Sequence, residues 1–266
     1  PRLTEVQGQV LEALKDEVGQ NIKLKYPKSG DYRSAFTFYD IDGDGSDEAI
    51  VLYAIVEDGK TTTRVVVLDN ENGRWKAAGG SGKHIAGLGP DVDFLRFEQM
   101  KQGSGKSLII GWIPEGGEKI AAIYQYEGSD FSIEYSEDYN QIGIRDFDGD
   151  GCSELLLLAT PDTGAQPYAI LAGETEEGLI DTLDEALLDD RVTSYLEPVC
   201  GSVSVGINGV VVDGYVRQDT LCTTVIQVIG NRLSIPTAEN DNLLFFRTYR
   251  TEGVRSEDID GDGVIE

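Results

Sequence analysis

Residues 40–53 read Asp40-Ile41-Asp42-Gly43-Asp44-Gly45-Ser46-Asp47-Glu48-Ala49-Ile50-Val51-Leu52-Tyr53. The first nine place acids at positions 1, 3, 5 and 9 and glycine at positions 4 and 6. Four carboxylates converging within nine residues repel one another unless a cation sits among them. A donor set of oxygens alone, without nitrogen or sulfur, suits Ca2+. The glycines supply the positive φ angles that so sharp a turn requires. An EF-hand loop opens in the same way, but it needs a glutamate at position 12 and a helix after it. Position 12 here is Val51, inside an apolar run that reads as a buried strand. The stretch is therefore a strand–loop–strand turn, and it points to a β protein.

The same signature occurs twice more, as Asp146-Phe147-Asp148-Gly149-Asp150-Gly151-Cys152-Ser153-Glu154 and Asp258-Ile259-Asp260-Gly261-Asp262-Gly263-Val264-Ile265-Glu266. The second copy also has an apolar residue, Leu157, at position 12 and runs into Leu155-Leu156-Leu157-Leu158. A plain Asp-Gly turn would account for one copy, but not for three that each keep all four acids. The expectation is up to three Ca2+ sites. The first would use Asp40, Asp42, Asp44, Ser46 and Glu48. The second would use Asp146, Asp148, Asp150, Cys152 and Glu154, and the third Asp258, Asp260, Asp262, Val264 and Glu266. Position 7 would give its backbone carbonyl, which is why Ser46, Cys152 and Val264 can differ. The apolar residue at position 2 would turn away from the ion and anchor the loop in the core.

Working outward, short apolar or alternating runs broken by Gly, Asn and Asp continue from Asn21 onward. Four strands are expected at Ser34–Tyr39, Ala49–Val56, Thr62–Leu68 and Arg74–Ala77, with turns at 57–60 and 69–73. Four more fall at Asp93–Glu98, Ser107–Trp112, Lys119–Tyr126 and Phe131–Tyr135. A third set begins at Gln141–Arg145, Glu154–Thr160 and Tyr168–Ala172, and a short helix near 183–188 interrupts it. A fourth comprises Ser202–Ile207, Val210–Val216, Leu221–Ile229 and Arg232–Ile235, followed by weaker candidates at 242–249 and 254–256. Groups of four antiparallel strands about every fifty residues are the pattern of β-propeller blades. The acidic copies begin 106 and 112 residues apart, about two such groups each time. The intervening segment 97–107 sits where an acidic loop belongs but has lost its acids. Four complete blades and part of a fifth would fit.

The first twenty residues differ. Leu3, Val6, Val10, Leu11, Leu14 and Val18 follow helical spacing, Thr4 and Gln7 form a capping box, and Gly19 stops the run. The organisation expected is an amphipathic helix in residues 1–20, packed on a β-propeller-like repeat domain over 21–266. The chain starts without methionine and stops inside its third acidic motif, which reads as a fragment cut at both ends.

The three loops resemble the FG-GAP/VCBS repeat family, the calcium-loop blades also found in integrin α-subunit propellers. The family pattern, D-x-D-G-D-G-x-x-D/E followed by an apolar strand, matches each copy position by position, with glutamate at position 9 where aspartate is common. The resemblance covers the loops and their flanking strands. It implies an all-β propeller with calcium between strands of a blade, metal-free alternate blades, and an exported bacterial protein with a lipid anchor before Pro1.

Composition narrows the rest. Acids number 48 against 22 bases, a net charge of −26, which repels phosphate backbones and anionic membranes. Nucleic acid is therefore not an expected partner. No apolar run is long enough for a transmembrane helix. Three cysteines without a CxxC spacing exclude a zinc ribbon and a disulfide framework, although Cys200 and Cys222 could pair. Gly103-Ser104-Gly105-Lys106-Ser107 lacks the first glycine of a phosphate-binding loop and leads into a strand, not a helix. His84, the single histidine, reads as a solvated loop residue. Trp75, Trp112 and the tyrosines read as sheet packing. The functional expectation is a non-enzymatic calcium-binding module at the cell surface that binds a protein or glycan. Calcium modules with Kd of about 10⁻⁴–10⁻³ M suit the extracellular space. The alternative is a hydrolase of glycans or phosphoesters with its active site in the propeller funnel.

Overall fold

Period-2 alternation is missing from the most apolar strand of the chain because both of its faces are covered. The computed structural model describes residues 3–57, 59–77, 84–126, 131–161, 164–217, 220–236, 250–253, 256–259 and 263–265. The protein is mostly β, with 54% of the described residues in strands, and those residues form four antiparallel sheets and one helix. The expected strand at 242–249 lies outside the described residues, as do residues 254 and 255 of the one expected at 254–256. The chain divides into two compact units, residues 1–99 with 103–137, and residues 100–102 with 138–266.

In the first unit, α1 (Glu5–Val18) is capped as the sequence requires. Gln7 N donates to Thr4 Oγ1 at 3.2 Å, Thr4 N donates to Gln7 Oε1 at 3.1 Å, and Gly19 ends the helix at φ 92°. Sheet 1 contains β1 (Ile22–Leu24), β2 (Phe36–Tyr39), β3 (Glu48–Glu57), β4 (Lys60–Glu71), β5 (Arg74–Ala77) and β6 (Ile85–Ala86). β1 and β2 follow one another along one edge of β3, and β4 pairs the other edge. Sheet 2 is β7 (Asp91–Glu98), β8 (Ser107–Ile113), β9 (Lys119–Tyr126) and β10 (Phe131–Tyr139), in spatial order β10-β9-β8-β7.

Ile50, Leu52, Val65 and Val67 face sheet 2, against Leu108, Ile110, Trp112 and Tyr124. The alternate residues Ala49, Val51, Tyr53, Val66 and Leu68 face Val10 and Leu14 of α1. Ala49 to Ala54 are all at most 1% exposed. Burial on two sides explains the unbroken apolar run.

In the second unit, sheet 3 is the meander β11 (Gln141–Arg145), β12 (Glu154–Ala159), β13 (Tyr168–Glu174) and β14 (Ile180–Leu187). Sheet 4 holds β15 (Ser194–Tyr195), β16 (Val199–Ser204), β17 (Ile207–Arg217), β18 (Thr220–Val228) and β19 (Leu233–Ser234). Their shared core includes Phe147, Leu156, Leu158, Leu171, Val210, Val212 and Ile226.

Three sequence expectations need correction. The short helix near 183–188 is the strand β14. Thr182 pairs with Ala172 and Asp184 with Leu171, so Leu183 is an extra residue at a bulge, and the bulge broke the alternation. The turn expected over 69–73 is only Asn72-Gly73, at φ 55° and 83°, a two-residue hairpin turn with β4 running on through Asp69 to Glu71. The break expected between the strands Ser202–Ile207 and Val210–Val216, at Asn208-Gly209, lies inside β17. The turn is at 205–206 instead. Asn208 Nδ2 donates to Phe147 O at 2.9 Å. A Cβ at Gly209 would stand 2.1 Å from Ile226 O, so glycine serves close strand approach there.

Candidate metal centres

The first two acidic loops join consecutive strands, β2 to β3 in sheet 1 and β11 to β12 in sheet 3. Their internal hydrogen bonds agree residue by residue. The position-1 carboxylates fold the loop. Gly43 N and Gly45 N donate to Asp40 Oδ1 and Oδ2 at 2.7 and 3.1 Å, and Gly149 N and Gly151 N donate to Asp146 Oδ1 and Oδ2 at 2.7 and 3.1 Å. Asp42 Oδ1 accepts from Asp44 N, and Asp148 Oδ1 from Asp150 N. Asp44 Oδ1 accepts from Ser46 N, and Asp150 Oδ1 from Cys152 N. The glycines at positions 4 and 6 take φ between 77° and 93° in both loops, a region that side chains strain to enter.

The ninth residue belongs to the sheet as well as to the loop. Glu48 pairs with Tyr39 and Glu154 with Arg145, which fixes where each side chain leaves the backbone. Glu48 Oε2 accepts from Ile41 N at 2.9 Å, and Glu154 Oε2 from Phe147 N at 2.7 Å. Ile41 and Phe147 are each 2% exposed, so the position-2 residues anchor the loops in the core as expected.

Carboxylate oxygens of Asp40, Asp42 and Glu48 lie within 4.8 Å of one another, as do those of Asp146, Asp148 and Glu154. Each trio could hold a metal ion. Asp44 and Asp150, expected as ligands, stand outside these trios with their carboxylates on position-7 amides. Burial pushes the Glu48 carboxyl up to about 7, with Asp42, Asp69 and Asp44 adding to the rise. Glu154 is pushed up to about 8, again by burial first and then by Asp148, Asp150 and Asp146. A buried glutamate this close to two other carboxylates favours either a proton or a cation, and three oxygens at this spacing fit a hard divalent ion. Burial and the neighbouring acids push the Cys152 thiol up to about 11. It is therefore neutral, in keeping with a backbone role.

The third copy is described in part. Gly263 N donates to Asp258 Oδ2 at 3.0 Å, the counterpart of Gly45 on Asp40, with Gly263 at φ 88°. Asp260, Asp262 and Glu266 lie outside the described residues. Ile259 is 76% exposed, unlike Ile41 and Phe147. Val264 bridges to Ser202, whose carbonyl accepts from Ile265 N at 2.7 Å.

Two acids near the trios escaped the sequence reading. Asp69, taken for a turn residue, lies on β4 beside the first loop and bears on Glu48. Glu174 Oε2 accepts from Gln102 N at 2.8 Å and lies 3.9 Å from Cys152 Sγ, beside the second loop. Only strand register places either of them, and local sequence does not encode register.

His84 is not a solvated loop residue. Its side chain is 3% exposed. Nε2 meets Glu17 Oε1 at 3.1 Å and Nδ1 meets the Tyr53 hydroxyl at 2.7 Å. A carboxylate only accepts, so the neutral tautomer with its proton on Nε2 satisfies both bonds. The histidine ties the end of α1 to sheet 1. His84→Ala leaves the fully buried Tyr53 hydroxyl without that partner, at a cost of about 1–3 kcal/mol. Differential scanning calorimetry should find Tm lower by roughly 2–10 °C; an unchanged Tm would show that the tie contributes nothing.

All three cysteines are free, so Cys200 and Cys222 do not pair. Among the described residues no helix is long and apolar enough to cross a membrane. A scan against protein-family models matches no part of the chain. A search of curated proteins finds none similar to it.

Proposed function

We propose that this protein is a calcium-stabilised, non-enzymatic binding or scaffold module whose four sheets are blades of a β-propeller. The observation that carries the reading is the pair of carboxylate trios, each closed by a buried glutamate and built by identical hydrogen bonds at the same point of two sheets. A repeated, pre-folded oxygen cage is what a structural Ca2+ site requires. A cation there ties two consecutive strands of a blade together and stabilises the fold by mass action. The four antiparallel sheets, each with a meander of consecutive strands, support the propeller reading. The cell surface is the location this reading favours, since calcium is plentiful there and weak sites can fill. Partners would be proteins or glycans, met away from the acidic loops. His84 spends its two ring nitrogens on Glu17 and Tyr53, which supports a binding role over the hydrolase alternative.

The test is stoichiometry. Protein stripped with chelator, dialysed against about 1 mM CaCl2 and analysed by atomic emission should carry at least two calcium ions per chain. A chain that carries none refutes the reading.

A further inference from the structure

The first two loops share their internal hydrogen bonds but not their surroundings. In sheet 1, Ala49 pairs with Leu68, so the register sets Asp69 opposite Glu48, on the same face. In sheet 3, Leu155 pairs with Ala172, and the same register sets Gly173 opposite Glu154. A Cβ at Gly173 would come within 2.9 Å of Glu154 Cγ and 3.0 Å of Leu183 Cδ1. The second loop thus has no room for the side chain that the first loop possesses.

A second observation comes from a different strand. Tyr126 on β9 is 6% exposed, and its hydroxyl is buried without a hydrogen-bond partner. One carboxylate oxygen of Asp69, Oδ1, is also buried and unpartnered. Tyr126 packs in the same buried cluster as Ile41, the position-2 residue of the first loop, and burial, then the charges of Asp69, Asp42 and Glu48, push its hydroxyl up. Buried polar atoms without partners are rare in folded proteins and mark a missing water or ion. Here an acceptor and a donor are orphaned beside the same acidic trio.

We propose that the cation site of the first loop extends beyond the loop, with Asp69 as an additional ligand acting through a bound water. That water would coordinate the ion through its oxygen, accept a hydrogen bond from the Tyr126 hydroxyl and donate one to Asp69 Oδ1. The first loop then binds Ca2+ more tightly than the second. The inference rests on the cation reading given above, and it assigns to β4 and β9 a role that the acidic motif does not contain.

The test is isothermal calcium titration of the chelator-stripped full chain. One variant, Asp146→Asn with Asp148→Asn, silences the second loop. Another, Asp40→Asn with Asp42→Asn, silences the first. The second-loop variant should keep the tight step, and the first-loop variant should lose it. The two affinities should differ by about tenfold or more, the usual weight of partners behind a metal's ligands. Asp69→Asn should weaken the tight step by about tenfold, and Tyr126→Phe by a few-fold, with the weaker step unmoved. Equal affinities at the two loops would overturn the proposal without recourse to Asp69→Asn, so a folding defect in that variant cannot shield it. An Asp69→Asn effect shared equally by both loops would also overturn it. No calcium binding at any loop would overturn it together with the reading on which it rests.

Discussion

Calcium at about 10 mM, added after EDTA stripping, raises Tm by roughly 8–13 °C. The figure follows from mass action. A site with Kd of about 10⁻⁴ M gains about 2.7 kcal/mol at a hundredfold excess of ligand. Each compact unit carries one fully described loop, and for a unit of this size each kcal/mol moves Tm by about 3–5 °C. Asp42→Ala combined with Asp148→Ala removes one carboxylate from each trio and should abolish most of the rise. In EDTA the same variant should differ little from wild type. It loses two loop hydrogen bonds but also relieves two repulsions. Magnesium should do far less, because its demand for near-ideal octahedral geometry suits a flexible all-oxygen loop poorly. A wild type that melts at the same temperature with and without calcium would reduce the loops to acidic turns.

The stability of the metal-free protein should fall as pH rises from about 5 to about 8.5. Glu48 and Glu154 have folded-state values of about 7 and about 8, against an ordinary 4.5. Between 4.5 and those values the folded state holds protons that the unfolded chain has released. Stability is therefore present in full below about 4.5 and is lost as pH climbs through about 7 and about 8. A tenfold difference in proton affinity between the folded and unfolded states is worth about 1.4 kcal/mol. The pair therefore costs the metal-free fold several kcal/mol, and Tm in EDTA should drop by roughly 10 °C over this range.

Calcium reverses the sign, because it binds only the ionised trio and displaces those protons. In about 10 mM calcium Tm should hold level or rise over the same range, and apparent affinity should strengthen up to about pH 8. The net charge of −26 also weakens the fold as acids ionise. Glu48→Gln with Glu154→Gln separates the two effects. If the trios are responsible, the variant loses most of the fall in EDTA and the calcium response with it. An unchanged pH profile in that variant would assign the fall to overall charge instead.

Much of this was legible in the chain. The D-x-D-G-D-G signature dictates its own geometry, because side chains two residues apart and glycines at positive φ close a loop with little outside help. Val51 and Leu157 at position 12 excluded the EF-hand, and strands do follow. The capping box Thr4–Gln7 set the start of α1, and Val10 and Leu14 packed as their spacing required. Long-range features were hidden. Leu183 is one extra residue at a bulge, and it counterfeits helical spacing. Asn208-Gly209 carries the residues of a turn but serves close approach to Ile226. His84 stands among polar and glycine residues, and only folding brings Glu17 and Tyr53 to its two nitrogens.

The sequence by itself determined the all-oxygen loops, the strand that follows each of the first two, the capped helix and the acidic surface. Each of these depends on residues within a few positions of one another, where backbone preference and side-chain spacing act directly. Tertiary structure alone decided which acids share a site. Position 5 turned to the loop's own amides, while the ninth-position glutamate was held by its strand. Asp69 came to Glu48, and Gly173 to Glu154, through a cross-strand register that no local preference encodes. The register is set by the burial of β3 between α1 and sheet 2, and of β12 within its own unit, because a slip of one residue would turn their apolar side chains to the wrong face.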